Sequence, residues 1–247
     1  MILIHSDLID RDFTLFLVLV AATVLALILG IAFHEACHAF MAASLGDSLP
    51  ARQGRTTLNP LAHLDPAGTI LMLLVGFGWG KPVQFNPYGL KLSPKMASFF
   101  VALAGPMSNF VMAGLLAIPI QLDLVPYADP FAHSSDLFAN VDTTEEYFGL
   151  FFTGAVYLNC ILGVFNLIPI PPLDGFKVAL GILPDDLAER YARLDQYGVL
   201  ILIAVLFIVP YLTRSMQVPD QNGFSPVREI MVPTAGRLVE LFTGVST

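Results

Sequence analysis

Long uncharged runs alternate along this chain with short polar stretches. Phe13 to Phe33 is 21 residues without a charge. Ionisable side chains then appear at His34, Glu35 and His38 before Gly46-Asp47 closes the segment, so a first helix is expected from Phe13 to about Leu45. At 1.5 Å per residue it is roughly 50 Å long, more than the ~30 Å of a bilayer core, and must tilt or project. A polar loop over residues 46–65 leads to 15 uncharged residues, Pro66 to Gly80, which are too few to span. Arg52, Arg55, Lys81, Lys91 and Lys95 flank that stretch on both sides, so it is expected to enter and return as a re-entrant helix with an extended return, Pro82 to Leu92. Met96 to Leu122 reads as a span. Asp123 to Glu146 follows with six acidic residues and no Lys or Arg, and is expected outside. Tyr147 to Leu173 is 27 uncharged residues whose helix Pro169, Pro171 and Pro172 must break near its end. After a short apolar piece, Phe176 to Leu183, and a mixed-charge loop ending at Gln196, Tyr197 to Thr213 is a last short span interrupted by Pro210. The tail from Arg214 reads as loop plus an amphipathic helix, Val227 to Phe242, with Ile230, Leu238, Leu241 and Phe242 on one side. If four spans cross, Arg214, Arg228 and Arg237 fall outside, against the positive-inside rule.

The pattern predicts an all-α polytopic membrane protein with about four transmembrane helices, a re-entrant helix or hairpin, and an active site between the helices. Composition agrees: 55% of residues are hydrophobic, 13% are charged, and the mean hydropathy is +0.71. In 247 residues there is room for a single membrane-embedded domain, 1–247, with its core at 13–213 and an amphipathic tail at 214–247. A net charge of −8 argues against a nucleic-acid partner. Cys37 and Cys160 both lie in apolar runs and read as small packing residues rather than a disulfide. Met1 to Asp12 carry three Asp against one Arg, so the first apolar run lacks the basic start of a cleaved leader and is expected to remain as a helix.

His34-Glu35-Ala36-Cys37-His38 is an H-E-x-x-H pattern at the end of an apolar helix. Two histidines four apart lie about 40° apart around a helix axis, so both imidazoles can reach one metal ion, while Glu35 flanks them at about 100°. That is the arrangement of a zinc hydrolase, with the histidines on Zn²⁺ and the carboxylate as base. Candidates for a third protein ligand are His63, Asp65, His133, Asp47 and Asp174. His133 sits in the loop expected outside, and Asp47 and Asp65 sit in a polar loop that solvates them. Asp174 ends a long uncharged run just after the prolines, where a buried carboxylate needs a partner. The first helix and the Tyr147 run end on the same side, expected to be cytoplasmic, so His34, His38 and Asp174 can converge; the competing role for Asp174 is a helix N-cap for Phe176 onward. His63 reads as a loop histidine bonded to backbone. Asn109 and Asn159 read as amides that bond across helices, and Asn166, on the approach to Asp174, as a residue supporting catalysis.

Three blocks resemble the site-2 protease family of intramembrane zinc metalloproteases. They are His34-Glu35-Ala36-Cys37-His38, Ala104-Gly105-Pro106-Met107-Ser108-Asn109, and Asn166-Leu167-Ile168-Pro169-Ile170-Pro171-Pro172-Leu173-Asp174-Gly175. The run Gly54-Arg55-Thr56-Thr57-Leu58-Asn59-Pro60, with His63, Asp65-Pro66, Gly68-Thr69 and Gly78 to Val83, is similar to a compact subgroup without PDZ or CBS modules. The resemblance implies zinc on His34, His38 and Asp174, Glu35 as base, and Asn166 binding substrate or stabilising the oxyanion. It also implies a hairpin around Gly78 to Val83 that offers an edge to unwound substrate. The implied substrates are transmembrane segments of other membrane proteins, cut within the lipid bilayer. The rival reading is a zinc transporter or zinc-sensing membrane protein using the same ligands; a family member that has lost peptidase activity is a third.

Overall fold

The computed structural model describes residues 13–75, 78–129, 143–215 and 227–245, and over these the chain is helical. Four segments are long and apolar enough to cross a membrane: Leu15–Ser44, Pro94–Gln121, Thr144–Asn166 and Asp185–Thr213. The first three form the body. Helix α1 is Phe13–Ser44, and the short α2 is Leu49–Arg52. Helix α3 is Pro66–Val75, α4 is Pro94–Gln121, and α5 is Thr144–Asn166. Helix α6, Asp174–Ile182, lies across the start of α4.

Local chemistry sets the ends of these helices. The Ser93 side chain accepts from the Met96 amide and Pro94 occupies the first turn, which starts α4. Thr143 and Glu146 form a reciprocal capping box at the start of α5. Helix α5 stops at Asn166, ahead of Pro169, so the residues up to Leu173 form a turn rather than more helix. Lipid gives apolar helices little hydrophobic reason to associate, so close packing through small side chains has to hold them. Ala97, Ala102, Gly105, Ala113 and Ala117 of α4 are all buried, and Ala26, Leu27 and Ile31 of α1 pack with Ala155 and Leu158 of α5.

The place expected for a re-entrant hairpin holds α3 and an extended return. Asp65 caps α3, its carboxylate accepting from the Gly68 amide at 2.9 Å. Leu64 and Gly80 form an isolated antiparallel bridge, and the Lys81 amide donates to the His63 carbonyl at 2.7 Å. Arg55 holds this pairing from beneath. It is 3% exposed, and its guanidinium donates to the carbonyls of Ala62, Lys81 and Pro82. Burial works against its charge, and the carboxylate of Glu35 works for it. Farther along, the Asp47 carboxylate joins the loop after α1 to the return, accepting from the amides of Leu49 at 2.8 Å and Asn86 at 2.7 Å.

The fourth span comprises α7, Asp185–Ala192, α8, Gly198–Ile203, a π-helical turn, Ala204–Ile208, and α9, Val209–Ser215. It is only 6% buried, in contrast to 44–50% for the other three. The tail uses part of the expected side, since Leu238 and Phe242 pack against the bundle whereas Ile230 and Leu241 do not. Helix α10, Val232–Thr243, follows a π-helical turn, Val227–Met231, and buries Met231, Ala235 and Val239, while Ile230 and Leu241 are exposed. Ala235 and Val239 pack on Ala113 and Ala117 of α4 and on Val156 and Cys160 of α5. The packed stripe combines Ala235 and Val239 with the flanking Leu238 and Phe242, and the small side chains of Ala235, Ala113 and Ala117 admit the close approach.

Replacing Arg55 by Met removes three hydrogen bonds from a charged donor, each worth about 1.5–3 kcal/mol. Hydrogen exchange in nanodiscs is expected to show the Lys81 amide exchanging at least about tenfold faster while α4 and α5 amides stay protected. Unchanged protection at Lys81 would mean that Arg55 does not hold the hairpin.

Candidate metal centre

His34 and His38 lie one turn apart in the last third of α1, and each is 7% exposed. Their rings stand edge to face with centroids 4.6 Å apart. The two Nε2 atoms are 3.0 Å from each other. Asp174 Oδ2 is 3.0 Å from His34 Nε2 and 3.1 Å from His38 Nε2. Among the described residues, these three are brought together as a group able to hold a metal ion.

Both Nδ1 atoms point elsewhere. His38 Nδ1–H donates to the Val101 carbonyl at 2.6 Å, and His34 Nδ1 lies 2.7 Å from Asn109 Oδ1. A neutral imidazole that donates from Nδ1 has a lone pair on Nε2. Two such lone pairs and a carboxylate oxygen then face one point, with no proton among them to share, and such a donor set calls for a cation. Ligand atoms around a tetrahedral zinc, at 2.0–2.1 Å from the ion, lie about 3.3 Å apart, close to the spacing of this triangle. The residues fit a zinc ion.

Several features put Asp174 in range. Helix α6 begins at Asp174 with Leu173 as its N-cap, and Asp174 makes no capping bond, so the N-cap role considered from the sequence is not the one it takes. Gly175 tucks the helix start against the backbone of Leu167 and Ile168, where a Cβ would collide with both carbonyls. Opposite the triad, a Cβ on Gly105 would overlap Cε1 and Nε2 of His38 and Nε2 of His34. The glycine of Ala104-Gly105-Pro106 thus lets both imidazoles lie on the backbone of α4.

Glu35 flanks the triad. Its Oε2 is buried and has no hydrogen-bond partner. Its side chain packs beside Gly80, where an added Cβ would come within 3.0 Å of Glu35 Cγ. The hairpin backbone therefore passes next to the carboxylate.

The other candidates have different duties. Asp47 ties a loop and Asp65 caps α3, as described above. His63 is fully buried and its Nε2–H donates to the Thr57 carbonyl at 2.8 Å; His133 lies outside the described residues. Asn166 is the last residue of α5, half-buried, with its Nδ2 donating to the Leu162 carbonyl at 3.0 Å. Cys37 is half-buried and lines a groove between α1 and α4 with Phe33, Phe40, Met107 and Ser108. Sequence reasoning missed three contributors: the Val101 carbonyl, Gly105, and Asn109 as the partner of His34. Gly105 and Asn109 are four apart on α4 and share a face, which is the signal that was available.

Residues 22–209 match the family described as Peptidase family M50. Two relatives bear the name "Putative zinc metalloprotease". YwhC of Bacillus subtilis (strain 168) is 35% identical over 190 residues, covering 76% of this chain and 80% of the relative. Rip2 of Mycolicibacterium smegmatis is 32% identical over 225 residues, covering 87% of this chain and 78% of the relative. No solved structure matches the chain.

A methyl group at position 105 would force both imidazoles off the backbone of α4. Gly105→Ala is expected to weaken Zn²⁺ binding by about tenfold or more, measured by chelator competition, with helical content unchanged by circular dichroism. Binding within twofold of the parent would show that the imidazoles do not rest where this geometry has them.

Proposed function

Because the chain belongs to peptidase family M50, the site-2 protease family, we propose that His34, His38 and Asp174 hold the zinc of an intramembrane endopeptidase whose base is Glu35. The enzyme is a zinc metalloprotease and a multi-pass membrane protein. The observation that carries the residue roles is the meeting of three lone-pair atoms beside a buried carboxylate oxygen that has no other partner.

Bound in that triangle, Zn²⁺ supplies Lewis acidity, polarising a peptide carbonyl and lowering the pKa of water towards about 7. Glu35 provides the proton path. Its Oε2 takes a proton from the attacking water, and as the C–N bond breaks it returns that proton to the departing amine. Each cycle thus leaves the carboxylate as it began. Asn166 is proposed to orient substrate or the developing oxyanion; an amide nitrogen carries two hydrogens, and the Leu162 carbonyl takes only one.

Substrates are membrane-embedded. A helical peptide bond hides its carbonyl in the i to i−4 ladder, so a segment must unwind before it can be cut. The hairpin backbone at Gly80 is where an unwound stretch would come beside Glu35. The active site is proposed to open towards the cytoplasmic side, because Arg52, Arg55, Lys81, Lys91 and Lys95 all fall between the end of α1 and the first turn of α4. The chain is proposed to act as a single embedded domain, since α10 packs into the same bundle as α4 and α5. A zinc transporter built on the same ligands would have no use for a base in the position of Glu35.

Glu35→Gln is expected to retain Zn²⁺ while cleavage of a transmembrane test substrate falls at least about 100-fold. Full cleavage by that variant would remove Glu35 from the mechanism. Zinc flux in proteoliposomes that His34→Ala abolishes would favour the transporter instead.

A further inference from the structure

Three helices meet at Asn109, and the polar atoms there form a chain that the zinc-hydrolase reading does not require. Asn109 Oδ1 lies 2.7 Å from His34 Nδ1. Its Nδ2 donates to the Gly30 carbonyl at 3.2 Å and to Asn159 Oδ1 at 3.1 Å. Asn159 Nδ2 in turn donates to the Ala155 carbonyl at 2.9 Å. Both amides are buried, Asn109 at 0% and Asn159 at 1% exposure. Gly30 makes room for the contact, because a Cβ there would sit 3.1 Å from Asn159 Oδ1.

The two ends of this chain are backbone carbonyls, which only accept. Ala155 therefore requires the nitrogen of Asn159 to face it, turning Asn159 Oδ1 towards Asn109. Gly30 and Asn159 Oδ1 then both require the nitrogen of Asn109, turning Asn109 Oδ1 towards His34. Flipping either amide sets oxygen against oxygen where both side chains are buried. An oxygen facing Nδ1 holds the proton of His34 on Nδ1 and leaves Nε2 with its lone pair aimed at Asp174. His38 achieves the same with one bond, to the Val101 carbonyl at 2.6 Å.

We propose that Asn109 and Asn159 are positioning residues that fix the tautomer and ring orientation of His34 for zinc, with Asn159 acting through Asn109. The inference rests on His34 being a zinc ligand. It adds that α5, which also leads to Asp174, sets the donor state of a ligand on α1.

The test uses the full chain in detergent, with Zn²⁺ affinity by chelator competition and ¹⁵N NMR of the zinc-free protein labelled at histidine. Asn109→Leu is expected to weaken zinc by about 10- to 100-fold and to move the His34 proton from Nδ1 towards Nε2. Asn159→Leu keeps Asn109 but frees its amide to turn, and is expected to weaken zinc less while shifting the same His34 signal. Combined with Asn109→Leu it should add nothing further. Asn109→Asp, which keeps an acceptor facing Nδ1, is expected to bind zinc at least tenfold more tightly than Asn109→Leu. Zinc affinity within threefold of the parent in Asn109→Leu, or equal losses from Asn159→Leu with and without Asn109, would overturn the proposal. His34→Ala is the separate control: unchanged zinc affinity there would remove the ligand reading itself.

Discussion

An imidazole buried in an apolar helix bundle has to place both of its nitrogens, because neither lipid nor aliphatic side chains can satisfy them. In this protein that constraint governs the centre. Each of the two histidines gives its Nδ1 to a neighbour on α4, a carbonyl for His38 and an amide oxygen for His34. The two Nε2 lone pairs are thereby left facing each other and Asp174. Three acceptors so close would repel without a cation between them, so the folded bundle and the metal site are two aspects of one arrangement.

Much of the remaining architecture keeps that arrangement in place. Gly105 lets the imidazoles reach α4, and Gly175 lets α6 start close enough for Asp174 to join them. The prolines after Asn166 stop α5 early, so the chain can turn and present a carboxylate rather than continue as helix. Arg55 takes up three carbonyls of the hairpin and so brings its backbone past Glu35, whose Oε2 is buried without a hydrogen-bond partner. Helix α10 braces the half of α4 and α5 farther from the metal, with its Phe242 carbonyl accepting from Gln121 at the end of α4.

The parts of this account that were legible in the sequence are those with local chemistry. The spacing of His34 and His38, the prolines ahead of Asp174 and the lengths of the uncharged runs all act within one segment, and they led to the helices and to the three candidate ligands that the structure brings together. Contacts between distant segments were harder to read. Asn109 is 75 residues from His34, and an asparagine in an apolar run reads the same whether it joins two helices or orients a metal ligand. The packed face of the tail helix was half read, with Leu238 and Phe242 included but Ala235 and Val239 left out, for a related reason. Hydrophobicity ranks Ile230 and Leu241 above Ala235, but a helix pressed against Ala113 and Ala117 selects for small size. Arg55 was counted as a flanking charge because nothing local to it indicates that three carbonyls lie around its guanidinium.

The central claim is that zinc is held by two imidazoles and one carboxylate, with the neighbouring Cys37 lining the groove beside Ser108. X-ray absorption at the zinc edge of the purified full chain reads this directly. The account predicts one zinc per chain with nitrogen and oxygen neighbours only, at about 2.0–2.1 Å, and two imidazole scattering patterns. A sulfur neighbour at about 2.3 Å, or a single imidazole, would contradict it.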